Sequence, residues 1–301
     1  MRISRMELAD FGSPESIAQG IIGALKDIPI PVPIDCIARA LDITSIEPIQ
    51  TEQFEGGLIT DRPKSSGIIL IKETRSSPIQ GFTKRQRYTI GHELGHFLIP
   101  THLPPKDDQF LCTSGDMNQS AKSKAVDRKI RMEAEANRFA ANILMPRKLF
   151  QSELRRAKAL DIDLLVRLSK RFDVSKEATA RRLCELVDSP SAIVFSENGI
   201  FRYAVRSNDF PFVTLSKGAP LPHGTLSKTF YGSPGEVSDM DAVPASDWTD
   251  EKKLRTKNLY EQVLVQMGGH RLTLLQLDED ELDDDEYEDE LDKSYEVGFR
   301  R

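Results

Sequence analysis

A chain of 301 residues with 39% hydrophobic and 29% charged side chains has the composition of a globular protein with more than one small core, and it contains no apolar run of membrane-spanning length. The net charge of −6 hides an asymmetry, because residues 278–301 hold thirteen acidic and three basic side chains and leave the preceding part at about +4. Cys36, Cys112 and Cys184 are scattered and form no CxxC pair, so neither a disulfide framework nor a thiolate zinc site is supported. The opening MRISRMELADFGSPES lacks the apolar core of a secretory signal, so a cytoplasmic protein is expected.

Ser13-Pro14 supplies the cap and first turn of a helix whose apolar positions are Ile17, Ile21, Ile22 and Leu25. The IPIPVPID stretch breaks it, and Ile34, Ile37, Ala38 and Leu41 predict a second helix ending near Asp42. Phe54–Thr60 and Gly67–Lys72 read as two strands of a hairpin around Asp61-Arg62-Pro63. Thr83 with Gln86 forms a capping box ahead of RYTIGHELGHFL, a helix closed by Pro100. Residues 101–121 lack periodicity and read as a loop bordering a substrate groove. Helical spacing returns from Lys122 to Leu144, with Met132, Ala136, Phe139, Ala140 and Ile143 on one stripe, until Pro146 stops it. Shorter helical patterns follow at 148–158 and 161–171, and a serine-capped third, in FDVSKEATARRLCEL, gives the spacing of a helix-turn-helix. Beyond Ser189-Pro190 the texture becomes β, with a hairpin turn at Asn198-Gly199, a helix at about 250–267 and a last strand, RLTLLQL. Trp248 and Phe230 are candidates to anchor the C-terminal core, and the run DEDELDDDEYEDE, which has little to bury and repels itself, reads as a disordered tail.

His92-Glu93-Leu94-Gly95-His96 is an HExxH pattern, and a helix gives its spacing meaning. Histidines four apart stand one turn above the other on one face, so both imidazoles reach a single ion. Zinc held by two imidazoles and one further protein ligand keeps a position for water and lowers its pKa towards about 7. Glu93, beside the ion, then serves as general base towards that water as it attacks a peptide carbonyl. The third ligand is open on spacing alone. His102 follows His96 at the interval of the HExxHxxGxxH zincins, but Ile99 and Pro100 stand where that motif turns on glycine. Glu133 and Glu135 flank the apolar stripe of the second long helix on opposite sides, and helical phase does not choose between them.

RQRYTIGHELGHFLIP followed by MEAEANRFAANILMP resembles the paired signature of the ImmA/IrrE family of metallopeptidases, over about residues 14–150. Ile143 stands where many members have leucine, and the interval between the two motifs is long. The resemblance implies that the third ligand is the glutamate directly before the Ala-Asn pair, here Glu135, giving a zinc site of His92, His96 and Glu135 with Glu93 as the catalytic residue. It also implies an endopeptidase whose protein substrate is a helix-turn-helix repressor controlling stress-response or mobile-element genes, and it makes 148–187 similar to the helix-turn-helix-like segment of some members.

The expected architecture is α+β. A zincin-like peptidase module occupies 1–147, with the HExxH helix and a glutamate helix. A helical, helix-turn-helix-like extension follows at 148–189, then a small α/β C-terminal module at 190–277 and an acidic tail at 278–301. Arg155, Arg156, Arg171, Arg181 and Arg182 make the extension basic, but charge on a helix is usually a solvated face, so packing is preferred there to DNA reading. Lys84, Arg85 and Arg87 are read as flanking the helix start rather than drawing an acidic substrate. The alternative to a peptidase is a regulator that binds DNA or protein and whose metal site is only structural.

Overall fold

The computed structural model describes residues 4–8, 10–25, 27–74, 81–103, 109–112, 128–254 and 256–277. The acidic tail and parts of the 101–121 and 122–144 segments therefore lie outside the described residues. The fold is mixed α+β, and the chain separates into two compact units, residues 1–153 with 168–178 and residues 154–167 with 179–301.

In the first unit, α1 (Pro14–Ala24) starts at Ser13, whose hydroxyl accepts from the backbone N–H of Ser16, and α2 (Ile34–Ala40) buries Ile34, Ile37 and Ala38. Three strands follow: β1 (Ile43–Ile49), β2 (Gly56–Thr60) and β3 (Gly67–Lys72). The expected β2–β3 hairpin is present, Gly56 opposite Ile71 and Thr60 opposite Gly67. Two strands were not foreseen. β1 lies parallel to β3, and β4 (Gln109–Cys112), from the segment read as loop, pairs antiparallel with β2, giving the order β1-β3-β2-β4. In β1 the interior Pro48 and the polar Thr44, Ser45 and Glu47 weaken the strand pattern, and Pro48 is tolerated because β1 is an edge.

β3 alternates strictly, with Gly67, Ile69 and Ile71 buried, and its inner face meets α3 (Lys84–Leu98). Thr83 and Gln86 close both halves of the capping box, at 3.2 Å and 2.9 Å, so the helix starts where the sequence predicts. α3 is buried from Gln86 to Phe97 apart from the half-buried Tyr88, so it is a core helix and not an amphipathic surface one. Arg87 belongs to that core. Its guanidinium donates to the carbonyl of Val32 at 2.9 Å and pairs with Asp173 at 3.2 Å, which makes it a tie between segments. α4 (Arg128–Leu144) runs against α3 and buries the whole predicted stripe of Met132, Ala136, Phe139, Ala140 and Ile143.

Next come α5 (Arg147–Arg156), α6 (Ile162–Arg171) and α7 (Lys176–Leu186), the last capped by the Ser175 hydroxyl, which accepts from Ala178 N–H at 3.0 Å. The second unit is built on a five-stranded antiparallel sheet in the order β6-β5-β9-β8-β7. Its strands are β5 (Ser191–Glu197), β6 (Ile200–Arg206), β7 (Asp241–Pro244), β8 (Asn258–Val265) and β9 (His270–Gln276). The β5–β6 turn is Asn198-Gly199 as expected, both at positive φ, the backbone such a two-residue hairpin requires.

The helix expected at about 250–267 is not there. A single 3-10 turn at Lys252–Leu254 precedes β8, where Leu259, Glu261 and Val263 are buried and Asn258 and Tyr260 exposed. The period is two, and a glutamate in one of the inward slots disguises it. Trp248 sits fully buried in the core with Val194, Phe201, Phe210, Leu259 and Leu275, whereas Phe230 is only half-buried and is not part of that cluster. No helix among the described residues is long and apolar enough to cross a membrane.

Candidate metal centre

The centre is made where α3 and α4 pack closely. Gly91 and Gly95 lie one turn apart on the α3 face turned to α4, and a Cβ on Gly95 would stand 3.1 Å from the Phe139 ring and 3.3 Å from the Ala136 backbone. A side chain at Gly95 would force its neighbours back by a few tenths of an ångström, and the small Ala136 and Ala140 on the facing helix keep the approach close. The approach sets the inner face of α3, with His92 and His96, against that of α4, with Glu133 and Asn137.

His92, His96 and Glu133 form a buried group of three donors. Glu133 Oε2 is 3.1 Å from His92 Nε2 and 3.5 Å from His96 Nε2, and the two Nε2 atoms are 3.1 Å apart. Zinc at about 2.0–2.1 Å from each ligand in a tetrahedron sets its ligand atoms about 3.3 Å apart, so the three edges fit such an ion. Asn137 orients the first imidazole. Its Oδ1 accepts from the Tyr88 hydroxyl at 3.1 Å and from His92 Nδ1 at 3.0 Å, which leaves the His92 Nε2 lone pair facing Glu133 and His96.

The electrostatics follow from burying these groups together. Burial pulls the His92 pKa down, but the Glu133 hydrogen bond and the charges of Glu93 and Glu133 outweigh it, so the net shift is upward. Burial dominates at His96 and holds it down at about 4. Burial pushes the Glu133 carboxyl up, and its bonds to the two histidines more than reverse this, leaving it well below the usual carboxylate range. Glu93 is fully buried in the same turn of α3.

Glu135, implied as third donor by the resemblance, is placed elsewhere. Its Oε2 meets His102 Nε2 at 2.9 Å, and His102 Nδ1 lies 3.1 Å from His96 Nδ1, on the side of that ring turned away from the three-donor group. The third donor of the group is thus Glu133. Two residues along a helix are about 200° apart, so the two carboxylates cannot share one direction. His102 returns beneath α3 through a turn closed by its N–H on the Ile99 carbonyl at 3.1 Å, with Pro100 in the second position that proline favours. No glycine is needed, and the turn delivers the histidine behind His96.

Reading the sequence missed two further parts. Asn137 had a signal, since Glu133 and Asn137 are four apart and therefore on one face of α4. Lys64 had none. It comes from the β2–β3 turn at φ 55°, and its buried ammonium donates to the carbonyls of His96 at 2.7 Å and Ile99 at 2.8 Å, capping the C-terminus of α3. Burial, with the nearby Arg5 charge, holds the Lys64 pKa at about 7.

Residues 45–184 match the family model of Peptidase M78, the IrrE N-terminal-like domain. Residues 45–184 form a domain of that family. The M78 match begins within β1, takes in all of α3 and α4, and ends inside α7, so every donor of the centre falls within it. Comparison with curated proteins gives no match.

Proposed function

We propose that this protein is a zinc-dependent endopeptidase of the cytoplasm whose metal is held by His92, His96 and Glu133 and whose catalytic residue is Glu93. The observation that carries the reading is the convergence of three buried donors, 3.1 to 3.5 Å apart, on the helix turn that also holds Glu93. Two imidazoles and one carboxylate are a donor set of catalytic zinc sites, which leave a coordination position for substrate chemistry. When bound there, zinc lowers the pKa of a water and polarises a carbonyl oxygen.

The chain's own residues supply the rest. Asn137 holds the His92 ring with Nε2 inward, and Lys64 secures the last turn of α3 against which His96 is seated. The Glu93 carboxylate, shielded from bulk solvent, accepts the proton released as water attacks a peptide carbonyl and returns it to the departing amine. The metallopeptidase family supports a protein substrate, and the resemblance to ImmA/IrrE proteins supports a helix-turn-helix repressor as that substrate, hence a part in transcriptional control of a stress response.

Glu93→Gln is the test. The substitution keeps shape and removes the proton acceptor, so cleavage of a helix-turn-helix repressor should fall by about 10²–10⁴-fold while zinc remains bound at one per chain. Function that survives in the variant with zinc in place would instead make the metal structural and the protein a binding regulator.

A further inference from the structure

We infer that His102 and Glu135 are positioning residues for His96, forming a carboxylate–imidazole–imidazole chain that presents His96 Nε2 to the metal. This rests on the metal reading of the centre given above and adds to it the means by which the second imidazole is oriented.

The argument follows the protons. Glu135 Oε2 stands 2.9 Å from His102 Nε2, and a carboxylate accepts but does not donate, so His102 carries its hydrogen on Nε2. A neutral imidazole has only one N–H, and His102 is fully buried, which disfavours a second proton. His102 Nδ1 is therefore a lone pair. It lies 3.1 Å from His96 Nδ1, with the ring centroids 4.9 Å apart, so His96 Nδ1 must be the donor of that contact. One step further along the same ring, His96 Nε2 is left with its lone pair directed at His92 Nε2 and Glu133. Asn137 performs the same service for His92 with an amide oxygen. The two ligand imidazoles are thus fixed in the same tautomer by different devices, one a side-chain amide on α4 and the other a relay that begins on α4 and passes through the turn after α3.

The chain is placed to be held rather than to react. His102 is shut off from solvent and touches the face of His96 opposite the donor group, while Glu135 is half-buried and also faces Arg131, 3.8 Å away. A ligand whose outer nitrogen bonds to such a partner is more basic and loses less freedom on binding a cation, and removing partners of this kind costs about 10–100-fold in metal affinity.

The experiment measures zinc affinity of the full chain by competition with a chromogenic chelator, without substrate, and the visible spectrum of the cobalt-loaded protein as a report on ligand geometry. His102→Phe fills the same space without a nitrogen, and should weaken zinc about 10–100-fold and alter the cobalt spectrum. Glu135→Leu, at the more exposed end of the relay, should weaken zinc in the same direction. Glu135→Gln keeps an oxygen that accepts from His102 and should recover most of the affinity. Circular dichroism confirms that each variant is folded, and should His102→Phe fail that check, the two Glu135 variants decide the matter. Wild-type affinity in His102→Phe or Glu135→Leu would overturn the inference while leaving the site reading intact. Equal loss in Glu135→Gln and Glu135→Leu would also overturn it, since charge and not hydrogen-bond acceptance would then be at work. A wild-type chain that takes up no zinc would overturn the site reading and this inference together.

Discussion

Glu133 and Glu135 are separated by a single alanine, yet they do different work because α4 turns about 200° between them. Glu133 points into the α3–α4 seam and meets both His92 and His96, while Glu135 reaches round to His102. Glu133 is buried there, so its ionised form needs partners, and its two histidines are what keep its carboxyl pKa low. Glu133→Gln removes the only anionic donor of the three. Zinc affinity should then fall by more than the roughly 100-fold that bounds the supporting residues, whereas Glu135→Gln should stay well inside that bound. Chelator competition on the two variants side by side checks the order, and a larger loss in Glu135→Gln would restore Glu135 as third ligand. The meeting of His92 and His96 is legible in the sequence because one helix carries both at a spacing with a single geometric meaning. The third donor is not, since a residue on another helix is chosen by how the helices are rotated against each other, and that depends on Gly91, Gly95 and the alanines facing them.

At the scale of elements, the readable parts are those whose signals are local. The Thr83–Gln86 box, the Ser13 cap, the Asn198-Gly199 turn and the α4 stripe each need only a few neighbouring residues, and each is found where the sequence puts it. β8 failed for the opposite reason. Glu261 occupies an inward slot between Leu259 and Val263, and what makes it tolerable there is distant in sequence: the N–H groups of Leu226 and Ser227, which donate to its carboxylate at 3.0 and 2.7 Å. These open the short helix α8 (Leu226–Thr229). Burial raises the Glu261 pKa above the ordinary carboxylate value, against the pull of those hydrogen bonds. The folded chain therefore holds this proton more tightly than the unfolded one. Its contribution to stability is present below the unfolded pKa and is lost as pH rises through the raised value. Glu261→Gln keeps an acceptor for one N–H and cannot ionise, so the fall in stability just above pH 4.5 should be shallower in the variant than in the wild type. Urea unfolding followed by Trp248 fluorescence from pH 4 to 7 measures this, and parallel curves would show that Glu261 ionises in the fold at no cost.

For the molecule as a whole, the division into two units would give a metal bound at this centre a defined reach. His92, His96, Glu133 and the supporting Asn137, His102, Glu135 and Lys64 all belong to the first unit, and the only tryptophan, Trp248, is buried in the second. A ligand that binds the folded state and not the unfolded one stabilises whatever unfolds with its site, by about 2.7 kcal/mol when its free concentration is 100 times its dissociation constant. Most of the described helical residues of the first unit lie in α1, α3 and α4, while the second is dominated by its sheet. Far-ultraviolet dichroism at 222 nm therefore weights the first unit, and tryptophan fluorescence reports the second alone. Adding zinc should move the dichroism midpoint to higher urea and leave the fluorescence midpoint in place, and chelation should reverse the first shift. Two probes that move together by the same amount would mean that both units unfold as one cooperative block, and zinc would then stabilise the sheet around Trp248 as much as the helices that hold it.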